Sequence, residues 1–279
     1  MIELLRRMWA APKAKIGGII FVLVLLFGLV GPLCFRAGPS DRVGGLYDAP
    51  SGEAWFGTDN FGRDVLVELA YGTRTSLKVG LLAGLVATLI GTAFGSMAGY
   101  KGGLVDGLLN SLTNLFLVIP PFVILILLSV SLRTRSVLML SVIIGVTSWS
   151  WVSRSVRAQV YSLKTRRHVD IARISGYGTL AIIVREILPY ILSYIVMAFV
   201  LQVAAGILNE ATLSMLGLGP YEAVSLGTMM SWALMFEAVG RGAWWAFIPP
   251  VLLIATITFS LKYINSGMDE VFNPRLRSG

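Results

Sequence analysis

The sequence predicts an all-α membrane protein with six transmembrane helices, and three observations support this fold class. Of the 279 residues, 56% are hydrophobic and only 14% are charged, and the mean hydropathy is +0.77. These values are typical of polytopic membrane proteins. Six mostly apolar stretches approach or exceed the roughly 20 residues that cross a bilayer, and lysine and arginine concentrate in alternate connections.

The predicted spans lie at residues 16–35, 76–100, 107–132, 137–153, 187–208 and 243–264. The apolar run of the first span is too long for a cleavable signal peptide, and no convincing small-x-small cleavage site follows it. We therefore expect it to remain as a membrane helix. The predicted organisation has three parts: an N-terminal region with the first span (1–75), a core membrane domain (76–268) and a cytosolic tail (269–279).

Glycine and proline distinguish three of these spans. Gly91, Gly95 and Gly99 repeat every four residues in the second span, which places them on one helix face and favours packing within the chain over a subunit interface. The Pro120–Pro121 and Pro249–Pro250 pairs fall inside the third and sixth spans. Proline kinks a helix, so the pairs indicate either the wall of a pore or simple packing.

The basic residues place three parts of the chain on one side of the membrane: the flank before the first span, the connection between spans four and five, and the tail. By the positive-inside rule this side is the cytoplasm, and both termini are expected there. The net charge of +8 therefore reflects topology, and nucleic-acid binding is not expected. The basic residues concerned are Arg6, Arg7, Lys13, Lys15, Arg154, Arg157, Lys164, Arg166, Arg167, Arg173, Arg185, Arg275 and Arg277.

The sequence lacks the residues that metal binding and several kinds of catalysis need. Cys34 is the single cysteine and His168 the single histidine, which excludes an intramolecular disulfide and disfavours a metal site or a Ser-His-Asp triad. A membrane enzyme would need paired groups at a cavity, but Asp106, Glu210 and Asp269 are widely separated in sequence. We therefore expect no catalytic, cofactor-binding or metal-binding residues.

The chain is not expected to energise transport by itself. Apart from Lys78, the interiors of predicted spans two to five lack ionisable groups, whereas ion-coupled carriers usually need them. The sequence also contains no P-loop for ATP. Energy would then come from other subunits, although an autonomous channel remains an alternative.

Residues 154–189 are too polar to span the membrane and too organised for a simple linker. Ser162 or Thr165 is predicted to cap a short helix, Gly176 and Gly178 to stop it, and Pro189 to occupy the first turn of the next one. Ala172 and Gly176 are small enough for the helix to enter a groove on another protein. An amphipathic helix lying on anionic lipid is the alternative.

Within this segment, "HVDIARISGYGTLAIIVREILPY" at 168–190 resembles the EAA loop of ABC importer permeases. Asp170, Ile171 and Ala172 stand at the Glu-Ala-Ala positions, Gly176 at the glycine and Pro189 at the final proline. Ile171 departs from the pattern. The resemblance implies a coupling helix that docks into a cytosolic ATPase, and the coupling residues that it implies are Arg167, His168, Asp170, Ala172, Arg173, Gly176 and Pro189.

Other stretches narrow the resemblance to dipeptide, oligopeptide and nickel permeases, and the N-terminal "RRMWAAPKAKIG" resembles their shorter C-type subunit. Ser111 and Asn114 depart from this branch, where many relatives carry arginine and aspartate. The similar stretches are "FGTDNFGRDVLVELAYGTRTSLKVG" at 56–80, "WSWVSRSVRAQVYSL" at 149–163, "EATLSMLGLG" at 210–219 and "NPRLR" at 273–277.

The resemblance implies a six-span permease of a type I ABC importer in the plasma (inner) membrane of a bacterium or archaeon. Its implied partners are a homologous second permease, two ATPases that bind ATP and magnesium, an extracytoplasmic substrate-binding protein and membrane lipid. Peptide is the substrate class that the resemblance favours. Nickel or an oligosaccharide is the alternative.

The segment 209–232 is too interrupted for a seventh span and too apolar for an ordinary loop. Its Leu213, Met215, Leu216 and Leu218 are expected to be buried in the outer mouth of the bundle or against the partner permease. A re-entrant piece packed only within this chain is the alternative. Near this pore mouth, Glu210 is predicted to mark the end of span five, and Gly217 and Gly219 to permit a tight turn.

Overall fold

The computed structural model describes residues 11–131 and 135–272, and these form ten α-helices and one π-helical turn. The predictions on Arg6, Arg7, Arg275, Arg277 and the "NPRLR" stretch lie outside the described residues. The helices are α1 (Pro12–Cys34), α2 (Val65–Lys101), α3 (Gly103–Val118), α4 (Pro121–Ser131), α5 (Val137–Leu163), α6 (Arg167–Ile174), α7 (Thr179–Ile182), α8 (Leu188–Met215), α9 (Leu226–Met235) and α10 (Trp244–Phe272), with the π-turn at Ile183–Ile187.

Among the described residues, five helical segments are long and apolar enough to cross a membrane, and each extends beyond its predicted span at one end or at both. For example, the second begins at Val65 and not at 76, because the Asp64 carboxylate accepts a hydrogen bond from Leu66 N at 2.8 Å and caps the helix. The spans were predicted from their apolar residues alone, whereas the helices also include the polar residues at either end of these stretches. The division at 75/76 falls inside α2, and the three-part organisation stays a prediction.

The predicted third span, 107–132, is not one straight helix. It consists of α3 and α4, which meet at an angle of 85°. Ile119 adopts an extended conformation, and Pro120 and Pro121 follow it; a residue before proline is disfavoured in the helical region, so the first helix ends here. The described chain therefore has five spanning segments, or six if this bent pair counts as one. In contrast, α10 continues through Pro249 and Pro250.

Helix α2 is the centre of the bundle, and its glycines face the backbones of its neighbours. A Cβ added at Gly91, Gly95 or Gly99 would lie within 2.5–2.8 Å of a carbonyl oxygen of α5. One added at Gly80 or Gly84 would meet α8 at Val203 in the same way. The prediction that the glycine repeat packs within the chain is confirmed.

The two ends of the bundle differ in composition. Lys13 forms an ion pair with Glu270, so the start of α1 and the end of α10 lie together. The end of α2 and the segment 164–187 lie at this same end, where Lys164 Nζ approaches Gly102; we call it the basic end. The opposite end, called the loop end, holds the segments 36–64 and 216–243. There the indole N–H of Trp245 donates to the Thr58 carbonyl at 3.0 Å.

We expect Gly95→Ala to destabilise the fold and Gly107→Ala to be tolerated. Both glycines are inside helices, where alanine is intrinsically favoured by up to about 1 kcal/mol. A Cβ at position 95, however, would lie 2.5 Å from the Ser153 carbonyl oxygen, whereas at position 107 it would meet nothing within 4 Å. Overpacking of this kind costs about 1–3 kcal/mol.

The measurement is thermal unfolding of the full-length chain in detergent, followed by loss of monodisperse protein. Equal melting temperatures for the two variants would contradict the close contact between α2 and α5.

Candidate functional site

The short helix α6 at the basic end stops at a glycine, as predicted. Gly176 has φ +81°, and its N–H donates to Arg173 O while Tyr177 N–H donates to Ala172 O, both at 3.1 Å. These two bonds form a Schellman motif, which needs a left-handed residue. The predicted caps are wrong: the N-cap residue is Arg166, and no side chain caps the helix. Arg166 has an extended backbone at the start of the helix, and neither Ser162 nor Thr165 caps it.

Only one face of α6 is available to another protein. Val169 and Ala172 are buried against α5 and the π-turn, with Ala172 only 5% exposed. The expectation that Ala172 lies on the docking face is therefore wrong, because its small side chain lets α6 approach its own subunit. The outward residues are Ile171 and Ile174, and Ile174 is 87% exposed.

Of the other predicted coupling residues, one holds α6 to its own subunit and the rest lie at the surface. His168 stacks on Tyr190 with ring centroids 4.5 Å apart, and its Nε2 lies 3.2 Å from the Glu186 carbonyl oxygen, so it fixes α6 to the start of α8. Asp170 and Arg173 form an ion pair at 3.2 Å on the surface. Arg167 and Pro189 are exposed.

A π-helical turn joins this segment to α8. Leu188 N–H donates to the Ile183 carbonyl, five residues back, and Pro189 follows in the first turn of α8, as predicted. A proline ring in a regular helix would clash with the carbonyl four residues before it, and the wider turn relieves that clash. Residues Thr179–Met215 therefore form one 37-residue helical segment.

Glu210 does not lie at the pore mouth where span five was predicted to end. Helix α8 continues to Met215, and Glu210 is 1% exposed inside the bundle. Its carboxylate accepts hydrogen bonds from the hydroxyls of Ser76 (3.0 Å), Ser214 (2.7 Å) and Ser225 (2.6 Å). These donors satisfy the buried carboxyl oxygens and join α2, α8 and the N-cap of α9.

The loop after α8 is partly exposed in the single chain. Leu213 is buried and Leu218 is half-buried, but Met215 and Leu216 are exposed, Leu216 by 56%. Met215 and Leu216 are therefore not buried within this chain, and their burial against the partner permease stays a prediction.

The predicted turn in this loop is present. Gly217 has φ +75°, and a Cβ at Gly219 would collide with Ser214. The loop is tied to the start of α5, where Arg135 donates to the Gly217 carbonyl at 2.7 Å and lies over the Tyr221 ring.

Sequence reasoning missed a buried charge cluster at the loop end. Arg63 pairs with Asp59 at 2.8 Å and with Glu68 at 3.2 Å, and its guanidinium lies over the rings of Phe61 and Trp232. Glu68 and Glu210 also correct the expectation that the helix interiors lack carboxylates. Both glutamates were predicted to lie outside the spans, because the prediction followed the apolar stretches and the helices are longer than these. In "DNFGRDVLVE" (59–68), the acidic residues four positions before and five positions after Arg63 were the sequence signal that could have indicated this charge cluster.

A third feature is a cavity of about 510 Å³ at the α3–α4 break, bordered by α5 and α8. Below it, α3 is held to α5 by polar contacts. Arg157 binds Asp106 with two hydrogen bonds of 2.5 and 2.7 Å, and Arg154 donates to Asn114 at 2.9 Å. Asn114 thus has an intramolecular partner, whereas Ser111 is exposed.

Comparison with known proteins gives a consistent result. Residues 91–278 match the family described as binding-protein-dependent transport system inner membrane component. The chain is 35% identical to the oligopeptide transport system permease protein OppC of Escherichia coli (strain K12), over 98% of this chain and 90% of the relative. It is 36% identical to the OppC of Salmonella typhimurium, with the same shares covered, and 33% identical to a putative peptide permease protein of Brucella suis, over 94% and 87%.

Proposed function

Because the chain belongs to the family of binding-protein-dependent transport system inner membrane components, we propose that it forms half of the translocation path of an ATP-driven peptide importer. A homologous second permease supplies the other half. Two cytosolic ATPases bind ATP and magnesium and supply the energy, and an extracytoplasmic binding protein delivers the substrate. This chain contributes no catalytic residue and binds no cofactor of its own.

The exposed face of α6 is the observation that carries the proposal. Ile171 and Ile174 of α6 are exposed, as are Tyr177 and Leu180 shortly after it, at an end of the bundle that is otherwise basic. Apolar groups grouped on a polar surface are typical of a protein contact. Helix–groove docking of the outward face of α6 into an ATPase accounts for them, with the buried Ala172 holding α6 on its own bundle.

In this arrangement the basic end faces the cytoplasm, with both termini, and the loop end faces outward. The bent pair α3–α4 is the third of six spans. ATP-driven closure of the ATPases moves α6 and, through the π-turn, the long helix that ends at the outer loop. The bundle then exposes the path alternately to the two sides.

The substrate class rests on the relatives, which are named oligopeptide or peptide permeases. Nickel or an oligosaccharide is the second candidate, because the branch that the sequence resembles includes nickel carriers. The test is uptake into proteoliposomes containing the complete complex, with labelled di- and pentapeptides, nickel and an oligosaccharide offered separately. ATP-dependent uptake of a peptide supports the proposal, whereas uptake by this chain alone would support an autonomous channel.

We expect Gly176→Val to abolish most coupled transport while membrane insertion stays near normal. Valine at φ +81° is strained by about 1–2 kcal/mol or more, so α6 would end differently and its docking face would turn. Gly178→Val is the matched control, because Gly178 has φ −69° and ψ 159°, which suits valine, and a Cβ there meets nothing within 4 Å.

Substrate-stimulated ATPase activity of the reconstituted complex is the readout for this pair. Normal stimulation with Gly176→Val would contradict the docking role of α6.

We expect Leu216→Asp to insert normally but to reduce assembly with the second permease or transport. Leu216 is exposed in the single chain, and a partner that covers it would bury an unpaired charge, at a cost of about 3–5 kcal/mol. Leu216→Met keeps the apolar surface and serves as the control. If the yield of the permease pair and transport are both unchanged by the aspartate, Leu216 is ordinary surface.

Orientation is tested by cysteine labelling in a Cys34→Ser background. We expect Glu53→Cys, on the exposed part of the 36–64 segment, to react with an impermeant thiol reagent from outside intact cells. Lys164→Cys should react only after the membrane is opened. The opposite pattern would reverse the assignment of the two ends.

A further inference from the structure

The cavity at the α3–α4 break lies at the middle depth of the bundle. Ser150, on its α5 wall, is the central residue of Val137–Leu163, and Gln202, on its α8 wall, lies near the centre of Leu188–Met215. The break at Pro121 forms another part of the lining. Interrupted helices at membrane depth are tolerated where they are buried in protein or line a water-filled space, and transporter sites are often built this way.

The polar groups of the cavity indicate that lipid does not cover it. The side chains of Ser150, Trp151 and Asn209 have no hydrogen-bond partner among residues 11–131 and 135–272, although all three line the cavity. Unsatisfied polar groups facing hydrocarbon at this depth cost several kcal/mol each. Water, a polar ligand or polar groups of the proposed second permease must therefore reach them.

The wall is also free of charge. None of its lining residues has an ionisable side chain, and Phe122 and Leu201 add apolar surface. A carboxamide such as that of Asn209 offers both a donor and an acceptor, which matches the N–H and C=O of a peptide group. An uncharged wall of this kind can bind a peptide backbone without selecting acidic or basic side chains. The volume of about 510 Å³ is within the usual range of small-ligand sites, about 300–1,000 Å³.

We propose that this cavity is where a peptide in transit contacts the chain, with Asn209 and Trp151 hydrogen-bonding its backbone and Phe122 and Leu201 packing against its side chains. The assignment rests on the proposed peptide import. Gln202 is a positioning residue: its Nε2 donates to the Ser148 carbonyl at 2.9 Å and holds the two helical walls at a fixed separation.

The first test is cross-linking in the complete reconstituted complex, in a Cys34→Ser background. Asn209→Cys is compared with Leu208→Cys, whose side chain is exposed but does not line the cavity. The probe is a radiolabelled tripeptide containing cysteine, supplied with the binding protein and a mild oxidant. We expect label on Asn209→Cys only when ATP is hydrolysed, and little on Leu208→Cys. Equal labelling of the two, or an unlabelled Asn209→Cys in a complex that still imports the tripeptide, would overturn the assignment.

The second test introduces a charge into the neutral wall. Asn209→Asp should lower the uptake of a glutamate-containing peptide relative to its lysine counterpart by roughly fivefold compared with the wild-type ratio, as one ion pair of about 1 kcal/mol predicts. Asn209→Ser should leave the ratio unchanged. An unchanged ratio in the aspartate variant would count against contact at this wall. Failure of the wild-type complex to import any peptide would instead overturn the proposed function.

Discussion

The close approach of α2 to α5 and α8 is the constraint on which the rest of the bundle depends. Where Gly95 meets the Ser153 carbonyl, there is no space even for a methyl group. In a membrane the hydrophobic effect does not drive helices together, so contact between backbones and polar bonds must do so. Because the central helix is fixed in this way, α3 and α4 can pack loosely at the edge and leave a cavity at their junction.

Polar bonds complete the packing, and they differ at the two ends. At the loop end, Glu210 joins three helices through serine hydroxyls, and Arg63 joins two carboxylates beneath aromatic rings. These groups are buried and paired with one another, so they favour one arrangement of the outer helices. At the basic end, α6 is held by apolar contacts and one histidine, and much of its surface is open.

The sequence predicted the helical class, the locations of most spans, the glycine contact and the stop at Gly176, because each depends on local residue type or period. It failed where tertiary contacts decide. Hydropathy could not show that α8 extends past Glu210, since three serine hydroxyls, two of them from outside α8, make a buried carboxylate acceptable there. Nor could it show that Ala172 faces inward, because one short helix has no period long enough to identify its buried face. The Pro120–Pro121 pair indicated an irregularity where Ile119 separates α3 from α4. Proline alone, however, did not show whether the helix would kink slightly or turn by 85°.

The π-turn before Pro189 has a mechanical consequence. Since it widens the helix without interrupting it, the 37 residues from Thr179 to Met215 form one rod, about 55 Å long at 1.5 Å per residue. Gly178 marks one end of the rod and the Gly217 turn the other. In the proposed importer, a movement of α6 would be carried along this rod to the Gly217 turn at its other end. Along its sides the rod is hydrogen-bonded to neighbouring helices, among other places through Gln202 with Ser148 and Glu210 with Ser76.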